Sequence, residues 1–146
     1  MKLIVAIFLI ILVIACSKNF NYVYIDNGKK LIRVSVEIAD DPKEQIQGLM
    51  FREHLDENAG MFFIFDDDSY QTFWMKNTLI PLDMIFIDSN LTIVDIHYAI
   101  PCRAQSCMSY KSRLPSQYVL ELNGNFTAKN DVKIGDRVTI NRRNKV

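Results

Sequence analysis

The chain has 146 residues, with 17 Lys and Arg against 17 Asp and Glu, and therefore no formal net charge at pH 7. That balance excludes the strongly basic surface on which nucleic-acid binding normally rests, so no nucleic-acid partner is expected. The length suits one domain that buries roughly two thirds of its unfolded surface, and a monomer is expected.

The first element is Met1-Lys2 followed by an unbroken apolar run from Leu3 to Ala15, which leads into Cys16. A positive residue, a short hydrophobic stretch and a small residue before a cysteine have the form of a lipoprotein export signal. At about 1.5 Å per residue the run reaches roughly 20 Å, short of a hydrocarbon core of about 30 Å. Residues 1–15 are read as a signal peptide, Cys16 as the lipidation site, 16–21 as a tether, 22–141 as a single β-rich domain and 142–146 as a polar tail. The membrane is then a partner through the lipid on Cys16. The expected location is exported, on the outer face of the cytoplasmic membrane or on the outer membrane.

Beyond the tether the hydrophobic period is mostly two. Residues 31–38 place Ile32, Val34, Val36 and Ile38 on one face of a strand and Arg33, Ser35 and Glu37 on the other. Asp41-Pro42-Lys43-Glu44 supplies a cap, a first-turn proline and a capping-box glutamate, which predicts a helix to about Phe51 with Ile46, Leu49 and Met50 inward. Strands are expected at 61–65 and 71–75 around an acidic turn, Asp66-Asp67-Asp68, which lacks the ligand spacing of a calcium loop. A hairpin at 82–87 and 93–97, a strand at 118–122, a helical turn at 126–130 and a last strand at 137–140 complete the pattern. Many short strands with one or two short helices predict a mainly β fold, sandwich-like, jelly-roll-like or barrel-like.

Three cysteines in an exported chain leave Cys102 and Cys107 once Cys16 is lipidated. An oxidising compartment favours a disulfide between them, and closing so short a loop contributes about 2 kcal/mol on the chain-entropy model. A thiolate zinc site is the competing reading, but it would need two further ligands, and His54 and His97 are the only histidines.

Polar residues inside apolar strands mark where chemistry could lie. Both faces of Leu82-Asp83-Met84-Ile85-Phe86-Ile87 are apolar, which predicts burial of Asp83. With a three-residue turn, cross-strand partners sum to 180 and Asp83 lies opposite His97, whereas a two-residue loop shifts the register and separates them. Such a pair serves acid-base catalysis, structural pairing or ligand binding, with Lys76, Arg52 or Glu121 completing it or binding an anion. No nucleophile-elbow serine and no glycine-rich phosphate loop is present, and no cofactor is expected. The aromatic residues Phe62, Phe63, Phe65, Tyr70, Phe73 and Trp74 are core or a binding platform. Met50, Met61, Met75, Met84 and Met108 with His97 are core or a soft copper site, and no metal ligand set is assigned.

Gly48-Leu49-Met50-Phe51-Arg52, Gly60-Met61-Phe62-Phe63-Ile64-Phe65 and Phe73-Trp74-Met75-Lys76-Asn77-Thr78-Leu79-Ile80-Pro81-Leu82-Asp83 resemble domain-of-unknown-function family 192. Ile85-Phe86-Ile87-Asp88, His97, the cysteine loop, 118–122 and 134–138 follow in the same order. The resemblance implies a compact jelly-roll-like β-sandwich domain, often exported, of unestablished activity. Similar proteins tend to have glycine where this chain has Leu91, so a local difference in that turn is expected. The candidate binding residues are Arg52, Trp74, Lys76, Asn77, Asp83, His97 and Glu121. Together these readings make the chain an envelope-anchored binding or accessory module for a small molecule, sugar or peptide. The alternatives are a small acid-base enzyme using Asp83 and His97, and copper handling through Met, His and Cys.

Overall fold

The computed structural model describes residues 21–142, so the proposed signal, most of the tether with Cys16, and tail residues 143–146 lie outside it. The elements are β1 (Asn21–Asp26), β2 (Leu31–Ala39), α1 (Pro42–Gln47), β3 (Ala59–Ser69), β4 (Thr72–Trp74) and β5 (Leu82–Ile87). They continue as β6 (Ile93–Ala99), β7 (Ser109–Lys111), β8 (Ser116–Asn123), α2 (Phe126–Asn130) and β9 (Arg137–Asn141). Seven strands form one sheet in the order β6-β5-β8-β3-β2-β1-β9, and β4 pairs with β7 apart from it. Neighbours run antiparallel except β2 and β3. The sheet curls into a half-barrel whose two edges meet at one corner. There Ile93 N–H donates to Asp136 O at 3.0 Å and Val138 N–H to Leu91 O at 2.8 Å.

Curling a sheet whose strands are apolar on both faces gives two cores. The inner one holds Val23, Ile25, Val34, Phe62, Ile85 and Leu120, with Phe126 of α2 packed among them. The outer one holds Leu49, Phe63, Met75, Met84, Phe86 and Val119, covered by the chain after α1 and by the β4–β7 pair. Each such large side chain contributes roughly 1.5–3 kcal/mol by leaving water.

The mainly β class with two short helices holds. Several details differ from expectation. The Asp41 side chain caps α1 by accepting from Glu44 N–H at 2.9 Å, as predicted, but the helix ends at Gln47 because Gly48 turns with φ 46°. Ile46, expected inward, is 69% exposed, whereas Leu49 is buried beyond the turn. Asp66, Asp67 and Asp68 lie within β3 rather than in a turn, on a stretch where the pairing with β8 slips between Ile64 and Ser69. Asp68 leaves the ladder to accept from Ser89 N–H at 3.1 Å and from the Ser89 hydroxyl. Strands β1 and β7 add to the expected elements, and Asn21, expected in the tether, begins β1. Arg142, expected in the tail, pairs with Asp40. Leu91 adopts the left-handed conformation itself, φ 59°, and packs on the inner core.

Candidate functional site

The hairpin register decides the fate of Asp83 and His97. Next to the turn Ile87 faces Ile93, the expected sum of 180, but a bulge at Val94 then pairs Phe86 with Asp95 and Asp83 with Tyr98. One extra residue turns every later side chain to the opposite face. Asp83 and His97 therefore do not meet, and the predicted pair is corrected. Asp83, 1% exposed, lies on the inner face and holds the start of α2, accepting from Asn125 N–H at 3.0 Å, Thr127 N–H at 2.7 Å and the Thr127 hydroxyl at 2.6 Å.

His97 lies on the outer face and pairs with Asp95, Nε2 to Oδ2 at 3.0 Å. Asp95 is fully buried and also accepts from Arg113 N–H and Nε, both at 2.9 Å, and from Arg113 Nη2 at 2.5 Å. Burial pushes its carboxyl up, but the Arg113 bonds and the His97 charge outweigh that and hold it below the usual carboxylate range. Its oxygens are committed to these donors, which makes this an internal tie between β6 and the chain after β7.

One row of side chains crosses five strands of the outer face: His97 pairs with Met84, Met84 with Glu121, Glu121 with Met61 and Met61 with Glu37. At the far end Glu37 accepts a two-pronged bond from Arg52, at 2.5 and 2.6 Å. In the middle stands Glu121, 4% exposed, flanked across the sheet by two thioethers and with no side-chain hydrogen bond or ion pair among the described residues. Burial pushes its carboxyl up to about 8, so the group is largely neutral at pH 7. A glycine at position 60 permits this packing, since a Cβ there would meet the Glu121 carbonyl oxygen at 2.3 Å.

Above Glu121 the two most specific sequence strings clasp each other. Asn77, in a left-handed turn at φ 56°, accepts Phe51 N–H on its carbonyl at 2.8 Å and reaches Met50 Sδ with its amide at 3.9 Å. Thr78 N–H returns to Met75 O at 3.2 Å. This closes a recess of about 30 Å³ in which Gly48, Leu49, Met50, Phe63, Trp74 and Thr78 surround Glu121. The recess shares Gln45, Ile46, Phe73 and Trp74 with an open cleft of about 320 Å³, whose walls also include Phe65 and Gln71. Trp74 is 50% exposed at the rim, and Lys76 Nζ rests 5.3 Å from its ring centroid.

Of the candidate binding residues, Trp74 and Glu121 line the recess together and Trp74 also lines the cleft, with Lys76 and Asn77 outside both linings. Arg52 lines a separate cavity of about 190 Å³ with Glu37 and His54, while Asp83 and His97 stand elsewhere. Gln45, Ile46 and Thr78 join the site without a signal in the sequence that marks them for it. The Cys102–Cys107 disulfide is formed, and Cys102 bridges to Lys76. Among the described residues no three His, Cys, Asp or Glu side chains group as a metal site. Met61, Met75 and Met84 are buried in the outer core, and Met108 is exposed. Chemically, a neutral buried acid can donate a hydrogen bond or proton, or ionise when a cation arrives.

The model of domain-of-unknown-function family 192, described as an uncharacterized ACR, matches residues 23–140. The UPF0127 protein PF1050 of Pyrococcus furiosus is 28% identical over 123 residues, covering 81% of this chain and 96% of that protein. Two solved structures resemble the fold. A candidate transcription regulator from Sinorhizobium meliloti 1021 has a TM-score of 0.74 at 38% identity, with 83% of this chain and 92% of that one covered. A protein of unknown function from Novosphingobium aromaticivorans has a TM-score of 0.76 at 34% identity, with 81% and 83% covered.

Proposed function

The chain belongs to domain-of-unknown-function family 192, a family without an established activity, and from the geometry of its outer face we propose that it is a small-molecule-binding accessory module whose site is the Trp74 cleft with Glu121 at its base. The observation that carries this reading is Glu121, a carboxyl group 4% exposed and without a side-chain partner among the described residues, in a recess that shares its Phe73 and Trp74 walls with an open cleft. Burying an unsatisfied polar group costs several kcal/mol, which an ordinary core avoids by placing an apolar residue there. A site that meets a ligand is the physical reason to keep it.

Cleft size sets the ligand scale. About 320 Å³ lies at the low end of the range for small-molecule pockets, which favours a small ligand over a long sugar or peptide. A cavity of about 500 Å³ beside Tyr22 and Arg33 is larger, but it is lined by solvated polar groups such as Asp56 and Glu57 and offers no buried group to recognise anything. The transcription-regulator description of the Sinorhizobium relative is not carried over, since this chain has no net charge with which to hold nucleic acid.

A fragment screen by thermal shift on the full chain tests the reading, because a ligand adds RT ln(1 + [L]/Kd) to stability. We expect hits that vanish in Trp74→Ala. A screen without hits, or hits indifferent to Trp74→Ala, overturns it. Residues 1–15 and Cys16 supply the remaining part of the proposal, export and lipid anchoring to the envelope. Cys16→Ser is expected to abolish labelling by a fatty-acid probe, and unchanged labelling contradicts the anchor.

A further inference from the structure

Resting on the cleft reading above, we infer that the ligand is a small organic amine, bound with its ammonium group against Glu121 and its apolar body against Phe73 and Trp74. Charge complementarity selects this class. Among the described residues Glu121 is the only ionisable side chain lining either the recess or the cleft, so an anionic group in the recess would face a carboxyl group, while Lys76, the nearest ammonium, stands outside the lining on the Trp74 ring. The other walls are aromatic, aliphatic or uncharged polar, a setting that attracts cations through ring faces and stays neutral toward everything else. Trp74 already carries one ammonium, that of Lys76 at 5.3 Å.

Size agrees as well. The recess of about 30 Å³ has room for one or two water-sized groups, on the order of 10–15 Å³ each, which suits an ammonium with its first methylene and not a ring. The wider cleft then takes the rest of the molecule.

Binding an ammonium there ionises Glu121. Its carboxyl O–H bond breaks, the proton goes to solvent, and the ligand keeps its own three N–H protons to meet the new carboxylate. Other charges bordering the site do not compete for this role. Met84 and Met61 flank Glu121 across the sheet; beyond them, His97 and the Arg52–Glu37 pair stand two strands away, about 10 Å. Lys76 faces Trp74, and Glu44 of α1 is turned to Asp40 N–H at 3.2 Å.

Calorimetric titration of the full chain with 2-phenylethylamine, 2-phenylethanol and phenylacetate tests the inference. At pH 7 the amine is expected to bind at least about tenfold more tightly than the alcohol, with phenylacetate weakest. Titrations in phosphate and in Tris should show close to one proton released per amine bound, and the affinity should rise by about tenfold from pH 6 to pH 7. Glu121→Gln is expected to abolish the preference for amine over alcohol. Proton release is measured on the unaltered chain, so that arm is independent of how the variant folds. Amine and alcohol binding equally well without proton release would overturn the ammonium assignment and leave the cleft reading standing. Binding by none of the three also overturns it, and the fragment screen then shows separately whether the cleft binds anything.

Discussion

Three buried acids among the described residues have three different fates, set by their partners. Asp83 is consumed by backbone and hydroxyl donors at α2, Asp95 by Arg113 and His97, and Glu121 has no such donor among the described residues. Because Asp83 and His97 occupy opposite faces, their substitutions should act independently. In urea unfolding, Asp83→Asn is expected to cost about 1–3 kcal/mol and to add to His97→Gln within roughly 0.5 kcal/mol. Asp95→Asn and His97→Gln should instead be coupled. Coupling between positions 83 and 97 would contradict the register. Burial of Asp83 is legible in its strand, since a polar residue between two apolar faces has nowhere else to go. The same signal surrounds Glu121 in Tyr118-Val119-Leu120-Glu121-Leu122, yet sequence reading suggests an anion-binding or completing role for it. What the sequence does not display is that the cross-strand neighbours of Glu121 are the thioethers of Met84 and Met61 and not charged side chains.

At the scale of elements, the alternating strands and the cap of α1 follow from local chemistry and hold in the fold. The misreadings share a cause, namely irregular pairing. A bulge at Val94 shifts β6, and the slip after Ile64 lets an acidic run continue as strand because Asp68 is satisfied by Ser89. Bulges are chosen by tertiary contacts and leave little trace in periodicity. Strand β7 is likewise invisible, for it consists of three residues whose pairing with β4 depends on a chain reversal through the disulfide loop. The tryptophan-containing string is recognisable as a signature without its reason. Its reason is the clasp in which Asn77 holds Phe51, and this fixes the roof over Glu121.

At the scale of the molecule, the half-barrel buries its inner face around α2 and its outer face beneath short, turn-rich segments. The candidate site lies there, where the covering chain includes left-handed residues such as Phe51 and Asn77 and where Glu121, 4% exposed, lines the recess. That acid leaves a thermodynamic mark. Its folded-state pKa of about 8 stands above the unfolded value of about 4.3, so the folded protein holds a proton that the unfolded chain releases. A raised carboxyl contributes stability that is fully present below the unfolded value and lost as pH rises through the folded one. The direct measurement is the urea stability of the full chain and of Glu121→Gln, each between pH 5 and pH 8.5. Glu121→Gln should gain on the parent by on the order of 4 kcal/mol between pH 5 and pH 8, about 1.4 kcal/mol per pH unit, and then level off. Parallel curves for the two proteins would show that Glu121 is ionised in the folded state throughout this range, and would contradict the assignment of this cleft as the site.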